Sequence, residues 1–373
     1  MPFNRPVLVG SELEYIQQAV RGGQLSGDGP YTARCQGFLE QHLGAPKAVL
    51  TTSCTAALEM AALLLDLEPG DEVLVPSFTF VTTASAFALR GARPVFVDIR
   101  SDTLNLNEQA LEQRLTPRTR AIVPVHYAGV GCEMDVVCAV ARENGLAVVE
   151  DNAHGLFGKY KGRFLGTFGQ MAAQSFHETK NVSCGEGGAL LINDPDLGAR
   201  AEIVSQKGTD RHAFLRGQVD KYTWVALGSS FLPSELQASF LTAQLEACEQ
   251  IQRVRRLIWQ NYAERLAPWA AAEGIGLPVV PAHCEQPYHM FYLVLRSLEH
   301  RTAFIEYMES RGVNCVFHFQ PLHLSAMGRK HGSCPGDCPV TEDISNRLVR
   351  LPFYNDLSED DQWRVIDTAT GFR

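Results

Sequence analysis

Short apolar segments alternate with helical segments between residues 47 and 149, and this rhythm constrains the fold more than any other feature. Apolar runs of this length, such as 146–149, are typical of strands that are buried on both faces. Helical segments of about ten residues between them indicate βαβ units, whose right-handed crossovers put helices on both faces of a mostly parallel sheet. The predicted strands are 49–50, 72–75, 94–97, 121–125 and 146–149, and the predicted helices between them are 53–65, 79–89, 107–115 and 134–144.

The pattern changes near residue 243, where a long charged segment begins. Residues 246–266 predict one long helix, which a Pro- and Gly-rich break then ends. A strand, a helix and another strand are expected beyond the break. We therefore expect a large domain over residues 1–245 and a small C-terminal α+β domain over residues 246–373.

Two helices are predicted ahead of the first strand. Ser11 and Glu14 have the spacing of a capping box at the start of a helix that ends before Gly22. A second amphipathic helix is expected over residues 32–42.

Charge and hydropathy exclude several classes of protein. The chain has 33 Lys and Arg against 42 Asp and Glu, a net charge of −9, which argues against a general nucleic-acid-binding protein. No apolar run approaches the roughly 18 residues that a membrane helix needs. Residues 1–5 lack the apolar core of a secretory signal. We expect a cytoplasmic protein, with no membrane contact, whose ten cysteines are mostly reduced.

The nearest approach to a metal pattern is Cys334 and Cys338 beside His331. Two strong ligands do not make a four-ligand zinc site, and the surrounding Gly and Pro residues indicate a turn-rich loop. No metal is therefore predicted.

Two charged residues follow predicted strands at the sheet edge where ligands of such folds bind. Asp151 follows 146–149, where a carboxylate could hold a protonated ring nitrogen or cap a helix. Lys180 follows a strand over 172–176 and precedes a glycine-rich stretch. A lysine in a cleft can form a Schiff base with an aldehyde, whereas most lysines are simply solvated.

Two further signals come from other strand ends. Ser53, Cys54 and Thr55 lie at a strand-to-helix turn, where free N–H groups attract phosphate, or where Ser53 could serve as an ordinary helix cap. Phe80 could stack on a flat ring or pack in the core. Together a phosphate cup, a stacking aromatic, a strand-end aspartate and a lysine indicate pyridoxal 5'-phosphate (PLP) as the cofactor.

The segments that carry these residues resemble the DegT/DnrJ/EryC1/StrS sugar-nucleotide aminotransferases, a family of fold-type I PLP enzymes. The resemblance covers essentially the whole chain. It implies an aspartate aminotransferase-like α/β fold, with helices around a mostly parallel sheet in the large domain. The matching segments are 51–58, 76–86, 124–129, 150–154 and 175–188.

The resemblance also implies residue roles. Lys180 would form the Schiff base and shuttle the proton, and Asp151 would pair with the pyridine nitrogen. The remaining cofactor contacts would be Ser53, Cys54 and Thr55 at the phosphate with the Ser175 hydroxyl, Phe80 on the ring, and His154 near the ring oxygen.

The same resemblance implies a substrate class. His177, three residues before the lysine, is similar to the histidine of members that aminate C4 of the hexose, and the segments 2–4 and 217–224 resemble the branch that makes dTDP-4-amino-4,6-dideoxygalactose. The expected reaction converts a dTDP-4-keto-6-deoxyhexose (dTDP-4-dehydro-6-deoxy-D-glucose) to the 4-amino sugar, with L-glutamate as donor. Whether the product is galacto or gluco stays open.

One departure concerns the neighbouring subunit. Many relatives carry a Tyr-Asn motif whose Asn reaches the phosphate across a homodimer, but residues 227–233 contain no Asn. Ser229 or Ser230 could substitute. For the diphosphate and the sugar of the substrate, the candidate contacts are Arg211, Lys221, His318 and His323.

Four other functions are compatible with parts of the sequence. One is a C3-aminating member of the family. A dehydratase on this fold would replace the lysine by histidine, so Lys180 argues against it. A catalytically silent, sugar-sensing regulator would not need Lys180 and Asp151 intact. A nicotinamide dehydrogenase would need a Gly-x-Gly-x-x-Gly after a strand, which the chain lacks.

Overall fold

A seven-stranded sheet forms the centre of the computed structural model, which describes residues 1–372. Its order is β1-β9-β8-β5-β4-β2-β3 once the strands are numbered along the chain. The strands are β1 (Lys47–Thr51), β2 (Glu72–Pro76), β3 (Arg93–Val97), β4 (Thr119–Ile122), β5 (Ala147–Asp151), β6 (Lys159–Tyr160), β7 (Arg163–Phe164), β8 (Met171–Ser175), β9 (Gly188–Ile192), β10 (Cys284–Glu285), β11 (Tyr292–Val294), β12 (Val316–Phe317) and β13 (Leu348–Arg350).

Helices cover both faces of this sheet and build most of the second half of the chain. They are α1 (Glu12–Gly22), α2 (Pro30–Leu43), α3 (Cys54–Leu64), α4 (Thr82–Ala88), α5 (Leu111–Arg114), α6 (Met134–Glu143), α7 (Gly198–Ser205), α8 (Arg211–Leu215), α9 (Glu235–Glu246), α10 (Cys248–Glu273), α11 (Leu298–Ser310), α12 (Ala326–Lys330), α13 (Pro339–Arg347) and α14 (Glu359–Thr370). No helix within the described residues is both long and apolar enough to cross a membrane.

The mostly parallel sheet predicted from the sequence is confirmed. Strands β3, β2, β4, β5 and β8 are paired in parallel, whereas β9 runs antiparallel to both β8 and β1. Because β9 returns against β8, residues 176–187 turn back at the carboxyl edge of the sheet. That turn carries Lys180 to the edge where ligands bind in folds of this kind.

The helix α3 packs closely against the sheet next to this edge. Its residues Ala57, Leu58, Met60 and Ala61 are fully buried against the sheet. This burial fixes the position of the helix start, which faces the cavity described below.

A second core lies in the C-terminal region. It combines α10, α11 and α14 with the antiparallel sheet β11-β13-β12. The chain start also belongs to this region, because the carbonyl oxygens of Met1 and Phe3 accept hydrogen bonds from the N–H groups of Asn314 and Phe353. We propose a boundary near residue 246, with the first three residues assigned to the small domain.

Two local predictions were wrong. Ser11 makes no side-chain cap, and the carboxylate of Glu12 accepts the N–H groups of Val9 and Gly10 ahead of the helix at 2.7 and 2.8 Å. The helix expected from residue 79 begins at Thr82. Residues 79 and 80 lie outside the helix, and both line the cavity.

Candidate active site

A cavity of about 470 Å³ lies between the carboxyl edge of the central sheet and the small domain. Ten of the fourteen residues selected from the sequence line it. They are Ser53, Cys54, Thr55, Phe80, Asp151, His154, Ser175, His177, Lys180 and His318.

Lys180 lies in the turn between β8 and β9, where its backbone N–H donates to the carbonyl oxygen of His177 at 2.9 Å. Burial lowers the pKa of its amine to about 8, against the opposing influence of Cys54 and Asp151. At neutral pH a fraction of this amine is therefore the free base, which is the form that can attack a carbonyl or accept a proton.

Asp151 is the last residue of β5 and is only 5% exposed. Its carboxylate accepts a hydrogen bond from the hydroxyl of Thr83 at 2.7 Å and from the N–H of Ala153 at 3.2 Å. A hydroxyl–hydroxyl bond of 2.8 Å joins Thr83 to Thr79. The carboxylate is thus held at the cavity wall by α4.

The start of α3 forms one end of the cavity. The Ser53 hydroxyl caps the helix by accepting the N–H of Ala56 at 3.1 Å. The N–H groups of Cys54 and Thr55 lie in the first turn, where no preceding helical carbonyl can accept them, so they are available to an anion. The backbone of β9 approaches closely here, because a Cβ atom at Gly188 would lie 2.5 Å from the Cys54 nitrogen.

Phe80 exposes 58% of its surface, which is unusual for a phenylalanine beside a core strand. Its ring lines the cavity, and its centroid lies 6.5 Å from that of Phe319. A flat ligand stacked on this face would remove apolar surface from water.

Three buried imidazoles form the wall on the small-domain side. The His154 ring stacks on His289 at 4.4 Å and lies 5.9 Å from His318. Burial lowers the pKa of all three histidines well below the usual value, so they are neutral at pH 7. His154 accepts the N–H of Ala128 on Nδ1 at 3.3 Å, which leaves Nε2–H as its donor.

His177 lies at the rim of the cavity. Its Nδ1 lies 2.9 Å from the Thr179 hydroxyl, and its Nε2 lies 3.7 Å from the carboxylate of Glu186. The side chain stays partly open to solvent, so it can contact a substrate that enters beside Lys180.

The other four selected residues do not line the cavity of their own chain. Ser229, Arg211 and Lys221 are exposed on the surface. His323 is fully buried, with Nδ1 2.6 Å from the Ser77 hydroxyl and Nε2 3.0 Å from Glu342. Its predicted contact with the sugar is therefore wrong, because both ring nitrogens have partners within the protein.

Sequence reasoning missed three residues that shape the site. Thr83 holds Asp151, while His289 and Arg350 line the wall contributed by the small domain. The sequence offered a weak indication for Thr83, because it lies in the segment 76–86, which also contains Phe80. His289 lies in the segment before β11 and Arg350 ends β13, both far along the chain from Lys180, and no local pattern marked them.

The donor set fits PLP. Helix N–H groups and the Ser175 hydroxyl suit a phosphate, the carboxylate of Asp151 suits a protonated pyridine nitrogen, and the exposed face of Phe80 suits a flat ring. The partly deprotonated Lys180 lies in the same cavity for an aldehyde.

Comparison with known proteins agrees with this chemistry. Residues 7–370 match the DegT/DnrJ/EryC1/StrS aminotransferase family. The chain belongs to this family. Its fold-type I architecture and its PLP dependence follow, and solved structural neighbours of this aminotransferase include a PMP form and a PLP form.

Individual relatives match this aminotransferase along nearly its whole length. The spore coat polysaccharide biosynthesis protein SpsC of Bacillus subtilis is 32% identical, with 99% of this chain and 96% of SpsC covered. The aminotransferase TlmJ of Streptoalloteichus hindustanus is 31% identical, with a TM-score of 0.91 and coverage of 100% and 98%. Spr1654 of Streptococcus pneumoniae, in its PMP form, is 26% identical, with a TM-score of 0.93 and the same coverage.

Proposed function

We propose that this enzyme transfers the amino group of L-glutamate to C4 of a dTDP-4-keto-6-deoxyhexose and forms the dTDP-4-amino-4,6-dideoxyhexose. The observation that carries the aminotransferase chemistry is the placement of Lys180 and Asp151 in one cavity with a helix start. When bound, PLP supplies an aldehyde that binds the amino group and a ring that accepts the electron pair released at Cα.

Residues of the chain would carry out the proton transfer and keep the ring nitrogen protonated. Lys180 Nζ would accept the proton from Cα and later donate it again. An amine with a pKa of about 8 can do both near neutral pH. Asp151 would keep the ring nitrogen protonated, since a neighbouring negative charge favours the charged form. Thr83 would keep that carboxylate in place.

A sugar nucleotide is supported by the names of relatives and by the wall of the small domain. SpsC takes part in spore coat polysaccharide biosynthesis, and Spr1654 is a candidate sugar aminotransferase. Neutral histidines and Phe319 offer hydrogen bonds and an apolar face, which suits a deoxysugar. Amination at C4 rests on His177 and its resemblance to C4-specific members.

We also propose that the enzyme is a cytoplasmic homodimer with its sites at the subunit interface. Large apolar side chains are exposed close together in the chain just before Ser229, which is what a protein interface presents. They are Phe214, Leu215, Tyr222, Trp224, Val225 and Leu227. In a dimer, Ser229, Arg211 and Lys221 could then reach the cofactor phosphate or the substrate diphosphate of the partner subunit.

One assay tests the reaction. The PLP-loaded enzyme is incubated with dTDP-4-keto-6-deoxyglucose and L-glutamate, and the product is analysed by NMR. A new amino group at C4, with coupling constants that assign the galacto or gluco configuration, is expected. The Lys180→Ala variant should form no product, whereas Lys330→Ala, at an exposed lysine outside the cavity, should match wild type. A product aminated at C3 would instead favour the alternative of a C3-aminating enzyme of the same family.

Light scattering after size exclusion tests the dimer. Wild type should elute at twice the mass of 41.1 kDa, and Trp224→Glu, which places a charge among the exposed apolar residues, should shift it towards the monomer. A monomeric wild-type enzyme would contradict the proposed interface.

A further inference from the structure

Arg350 occupies a position that neither the cofactor contacts nor the proposed proton transfer uses. It is the last residue of β13, the central strand of the small sheet, opposite Tyr292 of β11 and Val316 of β12. Its side chain lines the cavity wall formed by the small domain. The start of α3, where the phosphate would bind, lies in the large domain.

The guanidinium group of Arg350 is left with unused donors. One terminal nitrogen donates to the carbonyl oxygen of Phe317 at 3.2 Å, while Nε is buried and has no partner in the described part of the chain. None of the ion pairs formed within residues 1–372 includes Arg350. The Phe3 ring lies 4.7 Å from its Cζ. Leaving a buried donor unpaired is costly, so a ligand is expected to complete this group.

The surroundings of Arg350 also call for an anion. Its positive charge acts on Lys180 and on the three cavity histidines. Burial lowers the pKa of Arg350 to about 10, so the group remains charged at neutral pH. Of the carboxylates that line the cavity, Asp151 is hydrogen-bonded to Thr83 and Glu186 lies near His177.

The geometry points to the donor substrate. We propose that Arg350 binds the α-carboxylate of the amino-acid donor and thereby places the donor's amino group beside Lys180. A carboxylate accepts two parallel N–H bonds from one guanidinium, which matches the free donors of Arg350. The α-carboxylate is attached to the same carbon as the reacting amino group, so a site that receives this amino group also requires a nearby partner for the carboxylate. This inference rests on the proposed function and names the residue that recognises its donor.

Binding measurements test this role without turnover. Isothermal titration of the PLP-loaded enzyme uses α-methyl-L-glutamate, which lacks the Cα hydrogen, and separately dTDP, which carries only the nucleotide diphosphate. Arg350→Gln should raise the Kd for α-methyl-L-glutamate roughly 30- to 1,000-fold, because a buried charge pair is lost. Arg350→Lys, which keeps the charge without the planar fork, should raise it about tenfold. In both variants the Kd for dTDP should change by less than about twofold, because Arg350 is not expected to contact the nucleotide diphosphate.

The matched control is Arg5→Gln, which removes the same charge from an exposed arginine outside the cavity. It should leave both Kd values unchanged. Arg350→Lys keeps the test valid if the glutamine variant does not fold. Unchanged binding of α-methyl-L-glutamate, an equal loss of dTDP binding, or a wild-type enzyme that binds no amino-acid analogue would each overturn the role of Arg350. If wild type binds the analogue through Arg350 but aminates no 4-keto sugar, the proposed acceptor fails and the donor site stands.

Discussion

Replacing Lys180 by methionine should stabilise the cofactor-free protein at pH 7. The folded chain keeps this amine in the cavity, where burial lowers its pKa from 10.5 to about 8. At about 1.4 kcal/mol per pKa unit, this shift corresponds to at most ~3.5 kcal/mol of folding free energy. Because the side chain retains some contact with solvent in the cavity, we expect about 1 to 3 kcal/mol. Methionine has a similar length and needs no hydration, so it should leave little empty volume.

The effect must depend on pH in a defined direction. The unfolded chain keeps its lysine proton up to pH 10.5, whereas the folded chain releases it near pH 8. Between these values the unfolded state binds more protons, so the free energy of unfolding of the wild type rises with pH. The advantage of Lys180→Met should be full below pH 8, shrink as the pH rises, and vanish above 10.5.

Urea unfolding of the cofactor-free proteins at pH 7, 9 and 10.5 measures this difference directly. Lys330→Met, at an exposed lysine, is the control and should differ from wild type by less than about 0.5 kcal/mol at every pH. A Lys180→Met variant that is no more stable than wild type at pH 7, or whose advantage does not change with pH, would refute the argument that burial sets this pKa.

Three further substitutions test other parts of the molecule. Asp151→Asn should keep the circular dichroism spectrum of the wild type and lower kcat by roughly 100-fold or more, because an amide cannot hold the ring nitrogen protonated; activity near that of wild type would contradict its role. Thr83→Val should lower kcat about tenfold with little change in the Kd of the donor, since one bond of 2.7 Å to the carboxylate is lost; an unchanged kcat would mean that Asp151 holds its position alone. Glu235→Gln should lower the free energy of urea unfolding by about 2 to 4 kcal/mol, because this buried carboxylate accepts the N–H groups of Gly29, Tyr31 and Thr32 at the start of α2; a smaller loss than from Glu249→Gln, at an exposed glutamate, would contradict it.

Predictions that depended on local patterns largely agree with the structure. The apolar strands and the helices between them are where the periodicity placed them, because burial on both faces of a sheet requires continuous apolar runs. The ends of elements were less accurate. The predicted cap of Ser11 is absent, and Glu12, the first residue of α1, instead accepts the N–H groups of Val9 and Gly10 just before the helix. No local pattern distinguishes these two solutions.

The antiparallel course of β9 was not predicted, although it places Lys180. A short apolar strand has the same composition in either direction, and its direction is decided by the neighbours with which it pairs. For the same reason His323 could not be separated from His318 by sequence. The two histidines lie five residues apart, yet one faces the cavity and the other hydrogen-bonds to Ser77 inside the protein.

By itself the sequence determined the alternating architecture, the cofactor and the strand-end residues that line the cavity, because these depend on periodicity and on short motifs. Only the tertiary structure decided that Thr83 supports Asp151, that three neutral histidines share one wall, and that Arg350 reaches the cavity with unused donors. These residues are far apart in the chain, and what brings them together is the packing of the small domain and α4 against the sheet edge. Hydrogen bonding and desolvation act over a few ångströms in space, and sequence separation carries little information about such distances.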